Sequence, residues 1–210
     1  EGLVKETLEN TSGLRAGEDF GLAYNPVQDT KLMDSQELKV AAKDKASLNS
    51  AGAFFETIAK RGVKKISDVK TVELATLFAA VKRDADTALA NELAVFCENA
   101  GIDYADTLRV LNGETDDLNT APTIAEENNR KETYLLLESA ENLNTKLRLP
   151  MLVRQINEDM IRHAVNLTQE ALRNGEKTLR RSRIAFLGAV EPESAAAALV
   201  ELLETKGAKV

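Results

Sequence analysis

A stretch of about 30 residues, 71–100, constrains this chain more than any other part of it. Its apolar residues recur three or four positions apart, the spacing of one face of an α-helix, and small residues flank them. The apolar positions are Leu74, Phe78, Val81, Ala85, Leu89, Leu93 and Phe96, and the small ones are Ala75, Ala79, Ala88, Ala90 and Ala94. At about 1.5 Å per residue such a helix is roughly 45 Å long, which is more than a small domain needs internally. We therefore predict a homodimer that forms through the 71–100 helix.

The remaining pattern predicts a mixed α/β fold that is mostly α. Strands are predicted at 20–24, 38–42 and 63–66, in the βα rhythm of a mixed sheet. A second long helix is predicted at 150–173, where Asn174 and Gly175 end it. Its expected buried residues are Leu152, Ile156, Met160, Ala164, Leu167 and Ala171. Shorter helices are predicted at 1–10, 46–60, 104–111, 131–143 and 192–206, with a buried strand at 183–188.

Several segments match a known enzyme family. Residues 67–103 carry its framework positions, and further matches lie at 11–26 (TSGLRAGEDFGLAYNP), 154–158 and 183–188. The framework residues are Asp68, Val69, Lys70, Glu73, Leu77, Arg83, Asp84, Ala88, Leu89, Asn91, Glu92 and Leu93. The chain resembles the UDP-glucose/GDP-mannose dehydrogenase family, and the matches cover most of the 210 residues. Asn91 and Glu92 are expected to cap or brace neighbouring segments.

This resemblance implies three regions. Residues 1–66 look like a remnant of the N-terminal cofactor-binding α/β domain, 67–182 like the helical dimerisation domain, and 183–210 like the truncated start of the C-terminal nucleotide-sugar-binding α/β domain. The family uses NAD, whose pyrophosphate rests on a G-x-G-x-x-G turn at a helix start. No such turn occurs in this sequence. We therefore expect no independent NAD site in this chain.

The family's reactive positions are where the resemblance fails. Its substrate-handling Glu aligns with Val27, its active-site Lys with Thr76, the following Asn with Ala80 and its nucleophilic Cys with Asn128. A carboxamide has no nucleophile at neutral pH, whereas covalent catalysis of this kind needs a thiolate. The lost Lys also removes a cation that would stabilise negative charge on the substrate oxygen. No catalytic residue is therefore predicted, and the possible residual substrate contacts are Lys131, Glu132, Arg154 and Asn157.

Composition excludes some classes of function. The net charge of −7 and the pI near 5.0 argue against nucleic acid as a partner, because phosphate binding needs a concentrated basic face. No apolar run approaches the ~18 residues of a membrane span, so no membrane partner is expected. The single cysteine, Cys97, fits a small core residue in a reducing, cytoplasmic location. His163 is the one histidine, and no metal site is predicted around it.

Two functions from different classes fit these observations. The first, which we favour, is a catalytically silent homodimerising module of nucleotide-sugar dehydrogenase descent, for which an active paralogue is a further candidate partner. The second is an NAD-dependent oxidoreductase acting on a UDP-sugar, with its cofactor domain missing from this chain and its chemistry moved to other residues. A third reading is a binding protein that keeps a remnant sugar-nucleotide cleft without turnover. Four altered positions together favour the silent relative.

Overall fold

A computed structural model describes residues 2–27, 36–111, 121–124, 131–192 and 194–210. In these residues the chain forms α1 (Gly2–Ser12), β1 (Ala23–Tyr24), β2 (Leu38–Ala42), α2 (Lys45–Glu56), β3 (Val63–Ile66), α3 (Val69–Ala100), α4 (Tyr104–Leu111), α5 (Glu132–Asn142), α6 (Arg148–Asn174) and α7 (Ala195–Thr205). The mixed, mostly helical fold class is confirmed. The chain divides into two compact units, residues 1–78 and 79–210, while the predicted domain boundaries stay predictions.

The first unit is built around a three-stranded sheet in the order β1-β2-β3. The central strand β2 pairs antiparallel with β1 and parallel with β3, and its apolar side chains are almost wholly buried. Ala41 packs with Val69 and Val72 from the start of α3. The strands at 38–42 and 63–66 are confirmed, whereas the predicted 20–24 strand shortens to two residues that pair with Ala41 and Ala42.

Local chemistry sets the starts of α2 and α3. The Asp44 carboxylate accepts a hydrogen bond from the Ser47 amide (2.7 Å), and the Asp68 carboxylate accepts from the Lys70 amide (3.1 Å) and the Thr71 hydroxyl. Such side-chain acceptors satisfy amides that have no partner inside the helix. A Cβ on Gly52 would lie 2.1 Å from Lys65 Cε, so a larger residue at this position of α2 would displace the end of the Lys65 side chain.

The second unit packs helices on helices. Val165 of α6, Leu179, Leu203 of α7 and Ala208 form one buried cluster. Gly207 follows α7 with a φ of +92°, the left-handed conformation that ends helices. The end of α6 at Gly175 is as predicted, and its start at Arg148 places Pro150 in the first turn, where its missing N–H costs little.

Two predictions for the second unit are wrong. The 183–188 segment is not a buried strand: only Arg183 pairs, with Lys209, and Leu187 is 94% exposed. Among the described residues it has no further ladder partner, and a strand needs neighbours on which to pack. The buried face of α6 is also different from the prediction, because Leu152 is 52% and Leu167 41% exposed. The residues that α6 buries are Val153, Arg154, Asn157, Ile161 and Val165.

Candidate functional site

Three of the four positions that align with the family's reactive residues lie in the part of the chain that the structure describes. Val27 follows β1, and its backbone N–H donates to Asn25 Oδ1 (3.0 Å). The Thr76 hydroxyl donates to the carbonyl of Val72 one turn earlier on α3 (2.9 Å). Ala80, one turn later on the same helix, is 5% exposed. Asn128 lies outside the described residues.

Lys131 and Glu132 stand where α5 begins. Lys131 is exposed and serves as the N-cap residue without a side-chain cap, and Glu132 is the first residue of the helix and half-buried. An acidic side chain in the first turn is favourable there, because the free amides give that end of a helix a partial positive charge. Thr133 follows and is completely buried.

Behind the start of α5 lies a buried polar network that joins α3 to α6. Asp84 of α3 is 1% exposed and Arg154 of α6 is 3% exposed, with Nη1 of the arginine 3.7 Å from Oδ2 of the aspartate. The Thr133 hydroxyl donates to the same Asp84 oxygen (2.6 Å). One carboxylate on α3 is thus held by a side chain from α5 and faces the guanidinium of α6.

The network continues along α3 through two asparagines. Asn91 Nδ2 donates to Asn157 Oδ1 (3.0 Å), and Asn157 Nδ2 donates to the backbone carbonyl of Asp84 (3.0 Å). The side-chain oxygen of Asn91, Oδ1, accepts a second hydrogen bond, from the backbone amide of Thr123 (2.8 Å). Asn91 and Asn157 are 0% and 1% exposed. The expectation that Asn91 braces a neighbouring segment is confirmed.

The guanidinium of Arg154 has further neighbours. It lies over the Tyr134 ring at 4.8 Å from the centroid, and its Nη2 approaches Glu158 Oε1 at 3.2 Å. Its Nε and Nη1 make no hydrogen bond within the described ranges. A buried cation with two unused donors is a costly group, so this arrangement is not explained by stability alone.

These groups hydrogen-bond to one another and to the segments beside them. Asn157 and one nitrogen of Arg154, Nη2, make hydrogen bonds inside the unit, and whether either residue contacts a substrate stays a prediction. Cys97 is buried, as predicted for a core residue. His163 contacts the Glu98 carboxylate through Nε2 (2.8 Å). In the part of the chain that the structure describes, no three His, Cys, Asp or Glu side chains are grouped to hold a metal ion.

Sequence reasoning missed the two threonines of this network. Thr123 and Thr133 flank residues 125–130, and neither has a neighbouring sequence pattern that signals a buried partner. Their partners on α3 lie 32 and 49 positions away in the chain. Asp84 and Asn91 had stood out only as framework positions of a resemblance.

The open side of the α3–α6 pair carries both polar and apolar side chains. A cleft of about 410 Å³ lies between the two helices, lined by Asn91, Glu92, Val95, Phe96, Asn99, Ile156, Asp159, Met160 and His163. Phe96 beside it is 66% exposed, and Leu89 and Leu93 on the same helix are 47% and 37% exposed. Ala88, by contrast, is 2% exposed. No helix among the described residues has the length and apolar character to cross a bilayer.

Comparison with known proteins agrees with this architecture. Residues 70–159 match the central domain of the UDP-glucose/GDP-mannose dehydrogenase family. The chain is 29% identical over 189 residues to UDP-N-acetyl-D-mannosamine dehydrogenase of Pyrococcus horikoshii, covering 86% of this chain and 44% of that protein. It is 27% identical over 182 residues to Protein CapL of Staphylococcus aureus, covering 80% and 41%. The chain thus spans about two fifths of the length of these curated relatives.

Solved structures give the same result. The whole chain superposes on 52% of the UDP-D-ManNAc dehydrogenase from Pyrococcus horikoshii, with a TM-score of 0.86 and 25% identity. The dehydrogenase of NDP-N-acetyl-D-galactosaminuronic acid from Methanosarcina mazei shares the fold, with a TM-score of 0.82 at 24% identity and 49% coverage of that chain. Residues 70–159 of the chain thus match the central domain of the UDP-glucose/GDP-mannose dehydrogenase family, and the chain shares the fold of solved nucleotide-sugar dehydrogenases.

Proposed function

We propose that this chain is a catalytically silent, homodimerising member of the nucleotide-sugar dehydrogenase family. The observation that carries the proposal is the state of Thr76. Where the resemblance implies an active-site Lys, the side chain is a short hydroxyl that donates to the Val72 carbonyl of its own helix. A hydroxyl turned back on the helix backbone provides no positive charge for a developing oxyanion.

The neighbouring positions support the same proposal. Ala80 offers only a buried methyl group where the resemblance implies an Asn. At position 128 the sequence has a carboxamide in place of a thiol. Losing the cation, the amide and the nucleophile together removes the covalent step and the charge stabilisation that the family's reaction requires.

The proposal of a homodimer rests on the open side of the α3–α6 pair. Leu89, Leu93 and Phe96 are exposed along α3, and Ile156 and Met160 of α6 line the cleft beside Phe96. A twofold dimer buries the same self-complementary surface on both copies, which would remove these side chains from water. At about 25 cal/mol per Å² of apolar surface, such burial is the main favourable term in association.

Catalysis is tested by following NAD reduction with the longest natural form of the protein. The substrates should include UDP-N-acetyl-D-mannosamine, because a similar protein is named as its dehydrogenase, together with UDP-glucose and UDP-N-acetyl-D-glucosamine. We expect no turnover by the natural protein, and none by Asn128→Cys, because that thiol would lack the Lys partner at position 76. Turnover that is lost in Asn128→Ala would refute the silent reading and favour a UDP-sugar oxidoreductase.

Association is tested separately by multi-angle light scattering at micromolar concentration. We expect twice the chain mass of 22.9 kDa. A single-chain mass over this range would reject the homodimer and leave the catalytic question untouched.

Binding of NAD is tested by calorimetry. We expect no saturable NAD binding to residues 1–210.

A further inference from the structure

The buried network contacts the chain on both sides of residues 125–130. Thr123 lies before this stretch and Thr133 after it, and both are bonded to α3. Position 128, where the resemblance implies the family's nucleophile, falls between them in sequence. We propose that Asn91 and Asp84 are positioning residues that form a two-ended anchor, which fixes the entry to and exit from this stretch against the α3–α6 pair.

The entry is fixed through the backbone. The Thr123 amide donates to the Asn91 side-chain oxygen at 2.8 Å, so the contact does not depend on the side chain at position 123. Asn91 is oriented in turn, because its Nδ2 donates to Asn157 Oδ1 at 3.0 Å. With Nδ2 committed to α6, the amide oxygen of Asn91 must point to Thr123.

The exit is fixed through a side chain. The Thr133 hydroxyl, which is completely buried, donates to Asp84 Oδ2 at 2.6 Å. A hydrogen bond to an ionised carboxylate is shorter and stronger than one between neutral groups. The position of Thr133 in the first turn of α5 is therefore fixed by its hydrogen bond to Asp84 of α3.

Both ends of the anchor are bonded to the same group of linked residues on α3 and α6. Asn157 donates to the backbone carbonyl of Asp84 (3.0 Å), which links the residue that orients the entry to the residue that holds the exit. Arg154 packs beside them, and its Nε and Nη1 make no hydrogen bond to any residue that the structure describes. Because buried charged groups are poor sources of net stability but can specify one arrangement, this network fits a positioning role. The anchor does not require the chain to be silent or dimeric.

The exit is tested with Thr133→Val, which removes the hydroxyl and keeps the shape, and Thr133→Ser, which keeps the hydroxyl. The readout is hydrogen exchange of the first turn of α5, where the Leu135 amide donates to the Lys131 carbonyl (3.0 Å). We expect roughly tenfold faster exchange there in the valine variant, with recovery in the serine variant. Equal exchange in the two variants would overturn this half of the proposal.

The entry is tested with Asn91→Leu against Asn99→Ala, an exposed asparagine on the same helix whose amide donates to the Val95 carbonyl. We expect the Thr123 amide to exchange about tenfold faster in Asn91→Leu and to be unchanged in Asn99→Ala. A uniform rise across α5 and α6 would show general loosening and overturn the anchor. An unchanged Thr123 rate would do the same, and neither result depends on enzyme activity or oligomeric state.

Discussion

The inner face of the α3–α6 pair buries four polar side chains beside its apolar ones, whereas the outer face exposes several large apolar side chains. The inner face buries Asp84, Asn91, Arg154 and Asn157, whereas the outer face leaves Leu89, Leu93, Phe96 and Leu152 at least a third exposed. A helix in a monomeric domain normally buries its apolar stripe. The difference teaches that the apolar period of α3 and α6 does not by itself mark the side chains that the single chain buries, since the polar side chains of the network are buried while several apolar ones stay exposed.

The largest expected effect is on the inner face, at Ala88. This residue is 2% exposed, so Ala88→Glu forces a longer, charged side chain into a packed helix contact. We expect a loss of about 4 kcal/mol or more in the free energy of unfolding, because overpacking adds to the cost of a buried charge. Urea denaturation measures it, and Ala79→Glu, at an exposed position of the same helix, is the control. Equal stability of the two variants would contradict the contrast between buried and exposed positions of α3.

The second effect concerns the buried charges. Arg154→Met removes the guanidinium that faces Asp84 and lies over Tyr134, while the methionine keeps most of the apolar stem. We expect a loss of about 3 kcal/mol, the usual cost of removing one partner from a buried pair. Arg162→Met, on the exposed side of α6, should change stability by less than about 0.5 kcal/mol. A neutral Arg154→Met would mean that the inner face tolerates simple apolar packing.

The third effect concerns the outer face. Leu89→Asp is adjacent to Ala88 in sequence but points to solvent in the single chain, with 47% of its surface exposed. If the outer face meets a second copy, a desolvated carboxylate there should weaken dimerisation at least tenfold and leave the unfolding of the monomer nearly unchanged. Sedimentation measures the dimer dissociation constant. Leu187→Asp, at a position that is 94% exposed, should leave it unaltered.

The smallest effect is acid loosening of helix starts away from both faces. Hydrogen bonds from Ser47 hold the pKa of Asp44 below its usual value, and the Thr71 hydroxyl does the same for the pKa of Asp68. Because the folded pKa is the lower one, each ionised cap stabilises the fold above the unfolded pKa. This contribution is lost as pH falls through the folded pKa.

We therefore expect the urea midpoint to fall as the pH drops below about 4, because both folded pKa values lie below the usual 3.8. Asp44→Asn keeps a capping acceptor that does not titrate in this range, so it should reduce the slope. An identical pH profile in Asp44→Asn would exclude a contribution from that cap. We expect the difference in stability between inner-face and outer-face variants to stay constant over this pH range. A fall in the urea midpoint would then report loss of the caps and not loss of the network.

Prediction from the sequence succeeded where the signal was local. The strands at 38–42 and 63–66, the helix at 104–111 and the end of α6 at Gly175 match the structure, because alternation, period and a glycine after the last turn act within a few residues. It failed for the buried face of α6, since Leu152 and Leu167 follow the apolar period yet remain exposed. Hydrophobicity alone does not say whether a partner helix lies in the same chain or in another.

The sequence by itself determined the match to the family's central domain at residues 70–159, most of the helices and strands, and the residue types at positions 27, 76, 80 and 128. Only the tertiary structure decided that Arg154 and Asn157 of α6 are buried against Asp84 and Asn91 of α3. It also decided that Thr123 and Thr133 join them from either side of residues 125–130. The physical reason is that a polar side chain shows its hydrogen-bonding capacity in the sequence, whereas its partner is chosen by how helices dozens of residues apart come together.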